Sequence, residues 1–138
     1  MKRFVMIIMA VLLAAALTSC SRPVKAIEPT EDSFVIRVTF DTDVDIFSLL
    51  YKRGKGESGG CCHADGTRLN DVFYMDFSEE IWGDGPYNDG FIISIAPEIK
   101  GHDVDYVNIE ARYGNTYYVT VSGTAETGYT AVQTEGKK

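Results

Sequence analysis

Positive charge is the first thing this chain is short of: 13 Lys and Arg stand against 20 Asp and Glu, a net charge of −7. So acidic a surface excludes nucleic acid as a partner, because phosphates need a basic face. Histidine and cysteine are nearly as scarce, at two and three residues. Neither Gly-x-Ser-x-Gly nor His-Glu-x-x-His occurs, and no pattern around either histidine makes it a general base. The sequence therefore argues against catalysis and calls for no cofactor. Long hydrophobic runs are missing too. The longest uncharged apolar stretch, Phe4 to Leu17, falls short of the roughly 20 residues that span a bilayer. Nor does any later segment carry a helical apolar period over three turns.

The N-terminus holds the strongest local pattern. Lys2 and Arg3 precede the apolar run, and small residues lead into a cysteine: Leu17-Thr18-Ser19-Cys20. Basic start, short apolar stretch and small-residue exit read as a secretory signal. The last four residues resemble the lipobox of bacterial lipoprotein precursors: an aliphatic residue, two small ones and the cysteine that becomes acylated. The resemblance implies a signal peptide over 1–19, lipidation (palmitate) at Cys20, and a membrane attachment made by lipid rather than protein. Ser21 in place of Asp after the lipid cysteine resembles the sorting pattern for the outer membrane, and no acidic surface-export run follows. The implied location is the outer membrane, facing the periplasm.

Cleavage before Cys20 leaves 119 residues, enough for one modest core, with 11 basic against 20 acidic residues, or −9. It also leaves Cys61 and Cys62 as the remaining thiols. Adjacent Cα atoms lie about 3.8 Å apart, whereas an ordinary disulfide needs roughly 4.4–6.8 Å. A bond between them would be a strained vicinal ring.

Ser21 to Asp32, with two prolines and mixed charge, reads as a tether completing a 20–32 segment. Period-two alternation then begins: Phe34, Ile36, Val38 and Phe40 share one face. Asp41-Thr42-Asp43 reads as a turn. Val44 to Lys52 resumes the strand, with Val44, Ile46, Ser48 and Leu50 on one face. Arg53 to Asn70 reads as a long loop with room for a short strand near Cys62. Asp71 to Phe77 is a further strand, residues 78–90 a second turn-rich loop, and Phe91 to Ala96 an apolar central strand closed by Pro97. Val104 to Ser122 reads as a hairpin about Gly114-Asn115, and Gly128 to Thr134 as an edge strand before a 135–138 tail. About seven strands over 33–134 predict an all-β antiparallel sandwich, immunoglobulin-like or transthyretin-like.

Four constellations could carry chemistry. Cys61-Cys62-His63, with His102 as a fourth ligand, suits copper(I) or zinc, against a reading as buried thiols or a vicinal disulfide. Asp41 and Asp43 with Asp84 and Asp89 could hold calcium if their two loops share one end of the sandwich. Asp41 to Lys52 fails as an EF-hand, with Ile46 at the glycine position and Lys52 at the glutamate position; the alternative is ordinary turn aspartates. Trp82, Tyr87 and Asn88 offer a stacking ring and polar partners for a glycan, or a tryptophan folded over the core. Lys52-Arg53-Gly54-Lys55-Gly56 lacks the spacing of a phosphate loop and reads as a solvated hairpin tip. The composite expectation is a lipid-anchored envelope protein that binds or scaffolds, with an envelope protein or a glycan as its partner. Within it, a structural or assembly lipoprotein competes with a ligand-binding module.

Overall fold

The structure, a computed structural model, describes residues 24–53, 57–78 and 91–136. Eight strands run β1 (Ser33–Thr42), β2 (Ser48–Arg53), β3 (Glu57–Cys62), β4 (Val72–Ser78), β5 (Phe91–Pro97), β6 (Val107–Ala111), β7 (Thr116–Thr124) and β8 (Gly128–Thr134). They form two four-stranded sheets, ordered β4-β1-β7-β8 and β3-β2-β5-β6. There is no helix among the described residues. The fold is thus an all-β sandwich, and its first two strands lie in different sheets. An immunoglobulin sandwich keeps its first two strands in one sheet, so the immunoglobulin-like alternative does not hold here.

Alternation builds the core as the sequence reading expects. Phe34, Ile36 and Val38 of β1, Met75 and Phe77 of β4, and Val119 and Val121 of β7 are all buried. Ile93 and Ile95 of β5 and Ile109 of β6 meet them from the other sheet. The core is graded along the strands. Near the start of β1 it is aromatic: Phe34 stacks on Phe77 at 4.9 Å, and Tyr51 meets Phe77 edge-on at 5.8 Å across the two sheets.

Four expectations change. β1 and β7 pair in parallel, Val38 beside Val119, so the sandwich is not wholly antiparallel. The same pairing carries β1 through Asp41 and Thr42, opposite Ser122 and Gly123, where a turn was expected. β2 begins only at Ser48 and points Leu49 inward, leaving Leu50 outside. Residues 104–122 form no hairpin, because β6 and β7 belong to different sheets. The turn at Gly114 (φ +78°) is instead a corner between layers. It is tied to β1 rather than to a ladder of its own: the Gly114 amide donates to the Ser33 carbonyl (2.8 Å) and the Val35 amide to the Asn115 carbonyl (3.0 Å). The eighth strand is β3, inside the expected long loop and paired with β2 from Cys62–Ser48 to Glu57–Arg53.

Candidate functional site

The strand directions collect loops 43–47, 63–71, 98–106 and 125–127 at one end of the sandwich. Those loops hold eight carboxylates and two bases, Arg68 and Lys100, a net −6 against −7 for the whole chain. Arg68 reaches Asp45 (3.8 Å) and Asp71 (3.4 Å) at an exposed surface, where such pairs contribute little.

At this end the outer face of the β3-β2-β5-β6 sheet is hollowed into an open groove of about 800 Å³. Paired strand residues point to the same face, and Leu50 is registered with both Gly60 and Ala96. Continuing the Ile95–Val107 register sets Tyr106 opposite Ala96. An apolar row, Gly60–Leu50–Ala96–Tyr106, therefore runs across β3, β2 and β5 to the residue just before β6. The 98–106 connection folds back beside it as a wall, and Ala96 is only 2 % exposed although it faces outward. The wall is pinned by a tight turn, the His102 amide donating to the Ile99 carbonyl at 3.0 Å, with Gly101 at φ +80°. It is held to β2 by the Ser48 hydroxyl, which donates to the Glu98 carboxylate. On the other side Lys52 Nζ lies 3.8 Å from the Tyr106 ring centroid, a cation–π contact that gives one residue of the basic run a fixed place. Ser94 and Asn108 share a 2.6 Å hydrogen bond behind it.

The sequence-derived candidates distribute differently. Cys61 and Cys62 alternate on β3: Cys61 packs against the core and Cys62 is exposed, both as free thiols. Burial, with Cys62 beside it, pushes the Cys61 thiol pKa up. His63 stacks edge-on against Phe73 of β4 (5.6 Å) and His102 against Tyr129 of β8 (5.0 Å). β4 and β8 are opposite edges of one sheet, three strand spacings or about 14 Å apart. No group of three or more His, Cys, Asp or Glu capable of holding a metal occurs among the described residues.

Asp41 lies exposed at the end of β1. Asp43 is a tie between loops, accepting from the Tyr129 hydroxyl (2.8 Å) and the Ala125 amide (3.2 Å). Those bonds, the tyrosine's first, hold its carboxyl below the ordinary range. Desolvation and the same carboxylate raise the Tyr129 hydroxyl pKa. Asp84 and Asp89 lie outside the described residues. The described strands that flank their segment end beside Ser33 and Ala111, at the end opposite Asp43. Trp82, Tyr87 and Asn88 also lie outside the described residues, as does Cys20.

The groove was missed in the sequence because its row joins residues from three strands and the 98–106 connection, whose order in the sheet is not local. The one legible signal was Leu49-Leu50, adjacent leucines that cannot both face inward on a strand.

The class these features define is an eight-stranded β-sandwich with a groove on one outer face. No family model and no curated protein matches the chain. Among solved structures, a protein from Eubacterium rectale determined by NMR is similar at a TM-score of 0.48 and 10% identity, covering 81% of this chain and 98% of its own.

Proposed function

We propose that this chain is a lipid-anchored cell-envelope protein, held in the outer membrane through Cys20 and facing the periplasm, that acts by binding or scaffolding rather than by catalysis. The observation that carries this reading is the polarity of the sandwich. β1 enters at Ser33, at the end opposite the acidic loops and the groove. Residues 24–30 before it are without regular structure and mostly exposed, as suits a spacer. Ten residues of β1 at about 3.3 Å each separate the two ends by roughly 33 Å. An anchor at one pole then presents the groove away from the bilayer. The acyl chains supply the membrane affinity that an acidic surface lacks.

Growth with an alkyne-tagged fatty acid tests the anchor: the label appears on the wild-type chain, and Cys20→Ser loses both the label and sedimentation with membranes. A label that persists in Cys20→Ser overturns it. For binding, a photo-crosslinking residue in place of Leu50 should capture a discrete envelope component that the same probe at Thr39, on the other sheet, does not. Identical products at both positions would overturn a groove-centred role.

A further inference from the structure

We propose that the groove receives an extended, lysine- or arginine-bearing segment of a partner protein, laid across the strands along the Leu50–Ala96–Tyr106 row. The proposal rests on the binding role above and names the partner's chemistry.

Shape sets the first constraint. The floor is a row one residue deep, crossing strands spaced about 4.8 Å apart, so its full run from Gly60 to Tyr106 is about 14 Å. An extended chain covers that in four or five residues. Gly60 carries no side chain, and its position is exposed, so the row is unobstructed at the β3 edge. The opposite long side is closed by the 98–106 wall. A groove open at its end admits a segment of a longer chain without requiring a terminus.

Chemistry sets the second. Leu50, Ala96 and the Tyr106 ring ask for apolar side chains on every second residue of the occupant. The wall offers Glu98, Asp103 and Asp105 against Lys100, and the three further loops at that end add five carboxylates and one base. Lys52 keeps its charge over the Tyr106 ring at 3.8 Å but does not reverse this sign, because with Lys100 and Arg68 it still faces eight carboxylates at that end. An acidic segment would meet like charge along its whole length, whereas a basic one is drawn in by a field concentrated at this end. A second copy of this acidic chain is disfavoured for the same reason, as is an anionic lipid or polysaccharide.

The probe is a five-residue lysine–leucine peptide, alternating and blocked at both ends, titrated by fluorescence anisotropy into the full lipidated protein in non-ionic detergent. Its glutamate–leucine counterpart serves as the control. The lysine peptide should saturate, with affinity falling about fivefold between low and physiological salt, and the glutamate peptide should not saturate. Leu50→Arg, and separately the pair Asp103→Lys with Asp105→Lys, should each weaken binding about tenfold. The pair Asp41→Lys with Asp76→Lys makes the same charge change at exposed positions of the other sheet and should leave affinity within about twofold. Equal binding of the two peptides, no binding of either, or equal loss in both charge-reversal pairs overturns the proposal. So does self-association of the protein that Leu50→Arg abolishes, since the groove would then hold a second copy. If the Leu50 crosslink captures a component while the lysine peptide fails, the binding role stands and the basic segment falls. If both fail, the binding role falls with it.

Discussion

Tyr129 and Asp43 show how single residues hold the loop end together. The hydroxyl of one edge strand donates to a carboxylate 86 positions away, joining the β1–β2 loop to β8. Because the carboxyl pKa is lowered in the folded state, its contribution is complete above the unfolded value near 3.9. It fades as pH falls through the folded one. Because the tyrosine pKa is raised, its own contribution holds below about 10 and is lost as pH climbs through the folded value. Tyr129→Phe should therefore lower the melting midpoint by a few degrees at pH 6, and by less at pH 2.5. Paired thermal melts at the two pH values check it, and a penalty that grows in acid would contradict the assignment. The adjacent cysteines make a second contrast at this scale. Cys62 is exposed, while the Cys61 thiol is half-buried against the core and its pKa is raised. Thiolate reactivity follows both properties, so maleimide should label Cys62 at least about tenfold faster, as read by mass spectrometry of a time course.

The strand β3 shows why individual elements were unequally legible. β1, β4 and β7 announce themselves by alternating large apolar residues, and the structure turns that alternation inward: Phe34, Ile36 and Val38, Met75 and Phe77, and Val119 and Val121 are buried. Glu57-Ser58-Gly59-Gly60-Cys61-Cys62 has almost no strand propensity, and forms one because β2 offers an open edge. Its glycines are used in opposite ways. A Cβ on Gly59 would sit 2.3 Å from the Tyr51 hydroxyl, whose ring lies across that position, whereas one on Gly60 would find its nearest neighbours at 3.6 and 3.7 Å. Gly59→Ala must displace a ring packed on Phe77 and should cost about 1–3 kcal/mol. Gly60→Ala should be neutral or stabilising by up to about 1 kcal/mol, since glycine weakens a strand interior. Urea denaturation of the two variants tests this, and similar effects from both would refute the account. The same limit hid the layer corner at Gly114. A turn between two alternating strands looks alike whether the strands pair or part into different sheets, and only the bonds to β1 separate the cases.

For the molecule as a whole, β1 is the strand on which the sandwich closes. It pairs with β4 on one side and with β7 on the other, and Val38 meets Val119 81 positions on. It also anchors the corner through Ser33 and Val35. The β4-β1-β7-β8 sheet therefore cannot form from neighbouring strands alone: its centre waits for both distant partners, and the loop-closure entropy is met before those contacts form. Refolding should fall in the millisecond-to-second range of topologies dominated by non-local pairing. Ile36 is fully buried at the middle of this strand, registered with Met75 and Tyr117. Ile36→Ala should lower stability by about 2–5 kcal/mol. If β1 docking is the step that organises the transition state, much of that loss should appear as slower refolding. Tyr129→Phe, on the edge strand β8, should instead act mainly by speeding unfolding. Stopped-flow chevrons of the two variants separate the cases. An Ile36→Ala chevron displaced only in its unfolding arm would show that the transition state forms before β1 docks, and the closing strand would have to be sought elsewhere.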